Sequence, residues 1–83
     1  MRPAQSRAAR SLLDMTQSEL AKAAKLGLST IVDFERERRS VSEEAVITLR
    51  KTLERAGVQF IDENGGGPGV RLRKGAKPKP GRK

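Results

Sequence analysis

Two apolar stripes of helical period stand close together in the first half of the chain, Leu20, Ala21 and Ala24 and then Leu28, Ile31 and Phe34, with Lys25-Leu26-Gly27 breaking the pattern between them. Residues 16–39 therefore read as two short helices joined by a sharp turn. Thr16 and Glu19 have the spacing of a capping box, in which each side chain satisfies an exposed backbone amide of the other. They fix the start of the second helix of the chain, which runs to residue 25. Gly27 is expected to allow the turn, and Ser29 to help cap a third helix over residues 29–37, or from 28 if Leu28 is included. Upstream, Ala9, Leu12 and Leu13 form the inward face of a first helix over residues 6–13, with Arg7 and Ser11 facing water. Residues 1–5 are expected to fray, because Pro3 suits the approach to a helix better than its interior.

Downstream of the Arg38-Arg39-Ser40-Val41 loop, Ser42 followed by Glu44 opens a fourth helix, since serine caps well and acids suit a first turn. Val46, Leu49 and Leu53 make its apolar face, and Gly57 ends it. The period then changes from helical to alternating. Residues 58–61 and 70–73 read as two short strands around a stretch of turn residues that includes Gly65-Gly66-Gly67-Pro68. A two-stranded hairpin is marginal in water, so its apolar face of Val58, Phe60, Val70 and Leu72 must be covered, either by the helices or by another chain. After Lys74 the sequence has nothing to bury and is expected to be disordered when free. The expected fold is mainly α, four helices over residues 6–57, followed by a β-hairpin over 58–74 as a candidate dimerisation element and a basic tail over 75–83.

Composition narrows the function. The 83 residues leave room for one small domain. Cysteine and histidine are absent, which removes disulfides, thiolate metal sites and the commonest general base. With acids scattered over helix surfaces, no base and nucleophile pair is visible, so an enzyme is not expected, nor a metal or other cofactor. No apolar run approaches the roughly 20 residues that span a bilayer, and the N-terminus lacks the apolar middle of a signal peptide, so a cytoplasmic protein without a membrane role is expected. The net charge of +8 is unevenly placed: residues 1–70 hold 11 Lys/Arg against 10 Asp/Glu, and residues 71–83 add seven basic residues and no acid. Lys74, Lys77, Lys79, Arg82 and Lys83 would make this tail a phosphate-tracking arm. The two phenylalanines are the only aromatics and both read as core, which leaves no stacking platform for single-stranded RNA.

A helix, a turn and a second helix form the arrangement that lets one helix cross a duplex backbone while the other enters the major groove. The run TQSELAKAAKLGLSTIVDFE, preceded by RAARSLL, resembles the helix-turn-helix of the phage-repressor and Cro superfamily, also called the xenobiotic-response-element (XRE) family of bacterial regulators. The likeness rests on Thr16-Gln17, Glu19-Leu20-Ala21, Ala24, Ser29-Thr30-Ile31 and Phe34-Glu35. It departs from the family at Lys25 and Glu37, where glycine is common, and at Val41, where proline is frequent. The resemblance implies a transcriptional regulator that binds a palindromic operator as a homodimer, with the third helix in the major groove.

Carried over by position, it implies that Gln17 grips a phosphate, that Leu28, Ser29 and Asp33 reach base edges, and that Thr30 lies nearer the backbone. Leu28 or Val32 can pack on a thymine methyl, and Asp33 can accept from cytosine, with a local ion pair as its alternative role. Arg36, Arg38 and Arg39 follow the third helix, where phosphates would pass. Arg10 and Glu35 stand where the family often pairs an arginine with a glutamate, so Glu35 is expected to be structural. No arginine sits among the base-reading positions, so only moderate base discrimination is expected, helped by DNA shape or by the tail. The alternative function is a protein-interaction module, an antitoxin or an antagonist of another regulator, that offers the hairpin to a protein partner.

Overall fold

A computed structural model of the chain describes residues 1–75. Four helices precede a hairpin: α1 (Pro3–Leu13), α2 (Gln17–Ala24), α3 (Leu28–Glu35), α4 (Glu43–Arg55), β1 (Val58–Ile61) and β2 (Gly69–Leu72). The strands pair antiparallel with Val58 opposite Leu72 and Phe60 opposite Val70. One core holds the fold together, built from Ala9 and Leu13 of α1, Leu20, Ala21 and Ala24 of α2, Ile31 and Phe34 of α3, Leu49 and Leu53 of α4, and Val58 and Phe60 of β1.

The expected caps form. Thr16 Oγ1 accepts from the Glu19 amide at 3.0 Å while Glu19 Oε1 accepts from the Thr16 amide at 2.9 Å. Ser42 Oγ accepts from Ala45 N at 3.1 Å and starts α4.

The N-terminus differs from expectation. Instead of fraying, the chain enters α1 at Pro3, where a missing N–H costs nothing because first-turn amides have no helical partner. The buried Gln5 then holds this end in place. Its Oε1 accepts from Arg2 N at 2.8 Å, and its Nε2 donates to the carbonyls of Ile61 at 3.3 Å and Gly69 at 3.0 Å. Leu12, expected to face inward, is 36% exposed, and Ala9 and Leu13 fill the core alone from that part of α1.

The turn between α2 and α3 is also made differently. Gly27 has an ordinary φ of −68° and serves as the cap of α3, whereas Lys25 adopts the left-handed conformation with φ 59°. Asp14 after α1 (φ 58°) and Glu37 after α3 (φ 55°) do the same. At all three ends the amide of the following residue reaches back five positions: Met15 N to Arg10 O at 2.9 Å, Leu26 N to Ala21 O at 3.0 Å, and Arg38 N to Asp33 O at 2.9 Å. This is the Schellman closure, here made three times by residues with side chains where glycine is usual. It stops α3 at Glu35, two residues before the expected end.

The hairpin is covered by its own chain. Val58 and Phe60 are buried in the shared core, and Val70 and Leu72 pack partly buried against it. Arg50 of α4 lies over the Phe60 ring, 5.2 Å from its centroid. Val58 and Phe60 are thus covered by this chain's own helices, one of the two covers that the sequence left open for the hairpin. Lys74 is exposed at the end of the described residues, and the expected tail residues Lys77, Lys79, Arg82 and Lys83 lie outside them.

Candidate nucleic-acid interface

The capping box puts Gln17 in the first turn of α2, and a buried cluster below it sets its side chain. Glu35, 0% exposed at the end of α3, gathers donors from three directions. Arg10 donates from Nε at 2.9 Å and from Nη2 at 2.7 Å, Ser6 Oγ donates at 2.5 Å, and Gln17 Nε2 donates at 3.1 Å. Arg10 also reaches Met15 O at 3.2 Å, and Arg7 donates to the Glu35 carbonyl. Burial by itself pushes the Glu35 carboxyl up. The bonds from Arg10, Ser6 and Gln17, with the Arg10 charge, outweigh it and hold the group below the usual glutamate value. Among the described residues no buried side-chain polar atom lacks a partner. The cluster locks α1, the start of α2 and the end of α3 in one geometry, as expected for a structural Glu35.

The outward side of α3 follows from what the helix buries. Ile31, Phe34 and Glu35 face the core, so the opposite side carries Ser29 and Asp33, flanked by Leu28, Val32 and Thr30. Leu28 is 46% exposed, Ser29 is exposed, and Thr30, Val32 and Asp33 are half-buried. Beyond the helix Arg36, Glu37, Arg38 and Arg39 are all exposed. Asp33 is not an open carboxylate: its Oδ2 accepts from Arg39 Nε at 2.7 Å. The structure thus gathers Gln17, the outward residues of α3 and the following arginines around two helices fixed relative to each other.

A helix-turn-helix family profile matches residues 7–57. The chain belongs to the helix-turn-helix family. As a member of the phage-repressor and Cro-like (XRE) branch, it is a DNA-binding regulator. No curated protein sequence matches it. The matched span of this helix-turn-helix protein ends at Gly57, so the hairpin lies beyond it, although it shares the same core. Among the described residues no helix is long and apolar enough to cross a membrane.

The tie from Gln17 to Glu35 was missed in the sequence. The local ion pair held open for Asp33 does form, but its partner, Arg39, was not named, although a signal existed: Glu37 occupies a position where the family commonly has glycine, and a left-handed residue there reverses the chain.

Proposed function

We propose that this regulator binds a palindromic operator as a homodimer, with α3 in the major groove and the start of α2 on the flanking phosphates. The observation that carries this reading is the immobilised pair of elements. One Gln17 N–H is spent on Glu35, which leaves the second Nε2 hydrogen aimed by a fixed amide, beside the N-terminal end of α2. Leu28, Ser29 and Val32 read base edges, the apolar pair through thymine methyls and Ser29 as donor or acceptor. Thr30, Arg36 and Arg38 contact phosphates and set the register without carrying sequence information. Lys74 begins the basic arm that adds sequence-independent attraction. The protein acts in the cytoplasm, on the nucleoid.

Selection of bound duplexes from a random pool, with size-exclusion chromatography of the free protein, tests the reading. A two-fold symmetric site with half-site centres one helical turn, about 34 Å, apart and a dimer in solution support it. A monomer that enriches no sequence refutes it.

A further inference from the structure

The base-reading positions of α3 contain no arginine, so the strongest reader of a base edge, a guanidinium on the paired acceptors of guanine, is missing from the helix itself. The fold brings one back. Glu37 closes α3 in the left-handed conformation, Arg38 N bonds to Asp33 O, and Arg39 arrives over the last turn, where its Nε donates to Asp33 Oδ2 at 2.7 Å. Asp33 lies on the side of α3 opposite Ile31, Phe34 and Glu35, one turn beyond Ser29. A guanidinium fastened there sits on the face that α3 offers to a groove. The Asp33 side chain is only 16% exposed, while 70% of the Arg39 side chain remains open.

We propose that Arg39 reads a base and that Asp33 is its positioning residue. Nη1 and Nη2 of Arg39 donate to O6 and N7 of one guanine, and the Nε bond to Asp33 holds the planar group at the angle this requires. The assignment rests on the placement of α3 in the major groove. It also removes a difficulty, because a bare carboxylate on a DNA-facing surface is repelled by phosphate, whereas a paired one adds no net charge. An ion pair this open contributes little to folding, so variants at either position keep the fold.

The test uses the full-length chain, a duplex selected from a random pool, every single base-pair substitution of it, and one unselected duplex, with affinities from fluorescence anisotropy. The wild type should lose about 5- to 150-fold at one G·C pair when that pair is changed. Arg39→Ala, Arg39→Lys and Asp33→Ala should each lose discrimination at that pair while keeping it elsewhere. On the unselected duplex, Arg39→Lys should bind as the wild type does, because the charge is kept. Retained discrimination in Arg39→Lys overturns the proposal, since a point charge on phosphate then suffices. Discrimination lost in Asp33→Ala but kept in both Arg39 variants overturns it as well, because Asp33 then reads cytosine directly. If the wild type enriches an operator but no G·C preference depends on Arg39, this assignment fails and the placement of α3 stands. If the wild type binds no duplex, both fail. Circular dichroism melts of the three variants should coincide with the wild type, and a lost transition in all three overturns the positioning role in favour of a structural one.

Discussion

Replacing Glu35 by Gln tests the cluster beneath the proposed DNA-facing surface with almost no change in volume. The carboxylate is fully buried and receives hydrogen bonds from Arg10, Ser6 and Gln17, with Arg10 donating through both Nε and Nη2. An amide presents one acceptor atom and one donor atom, so at least one of Arg10, Ser6 and Gln17 meets a donor where it had an acceptor. The Arg10 side chain, 18% exposed, also loses its counter-charge. Removing one partner of a buried pair costs about 3–5 kcal/mol. The partial exposure of Arg10 places the loss at the lower end of that range, about 3 kcal/mol. Against a total stability of roughly 4–12 kcal/mol for a chain of this length, that is a large fraction. The midpoint should fall by about 12 °C or more, at about 4 °C or more for each kcal/mol.

Urea unfolding followed by far-ultraviolet circular dichroism measures the loss directly, with an unchanged slope as the sign that two-state behaviour survives. The double variant Arg10→Met, Glu35→Gln should recover about half of it, because the orphaned charge is gone. The pH dependence has a fixed sign. A group held below its ordinary pKa in the folded state contributes stability above the unfolded value of about 4.3, and that contribution is lost as pH falls through the lowered folded value. The wild type should therefore lose stability below about pH 5 more steeply than the Glu35→Gln variant does. A loss under about 1 kcal/mol, or parallel acid profiles, would refute the cluster as the lock between α1, α2 and α3.

Other perturbations give equally direct readings. Lys25→Gly should stabilise the protein by about 0.5–1 kcal/mol, since a residue without Cβ takes φ 59° without strain, and a lower midpoint would show that the Lys25 side chain matters more than its backbone. Ser29→Ala should change preference at particular base pairs by about 1–3 kcal/mol, and equal loss on operator and random DNA would remove Ser29 from the base-reading set. Arg38→Ala should weaken all sequences alike and lower the salt slope by about one, which titration of binding against salt would show. Gln5→Ala should cost about 1–2 kcal/mol and speed amide exchange in β2, because two hairpin carbonyls lose their donor; unchanged protection would mean that apolar contacts alone hold the hairpin.

What was legible in the sequence was local. The Thr16 and Glu19 box, the Ser42 cap and the alternation of residues 58–61 act over three or four positions, and each appears where its spacing puts it. The Arg10 and Glu35 pair was reached through family resemblance and not through any spacing. Choosing Gly27 as the turn residue failed because the left-handed position is set by where α2 runs out of core to cover, and that falls at Lys25. Gln5 was misread for a different reason: its partners, Ile61 and Gly69, come from the far end of the chain and leave no trace in the pattern around Pro3. Arg39 was read as a phosphate contact beyond the third helix and not as a partner of Asp33, since no periodicity shows that a helix ends in a reversal.

The Gln5 bonds have a consequence for synthesis. They span 56 and 64 residues, whereas the caps and helix closures are local and can form as each segment leaves the ribosome. The first helix emerges first, yet the carbonyls that receive its Gln5 belong to strands made last. The Gln5 end of the first helix must therefore wait for almost the whole described chain before it is fastened, although Ser6 and Arg10 can meet Glu35 earlier. A chain stopped in the glycine-rich turn could already close the Glu35 cluster on the first helix, yet it would lack Gly69 and leave the Gln5 end of that helix without its hairpin partner, open to proteolysis at the very end that the finished protein protects.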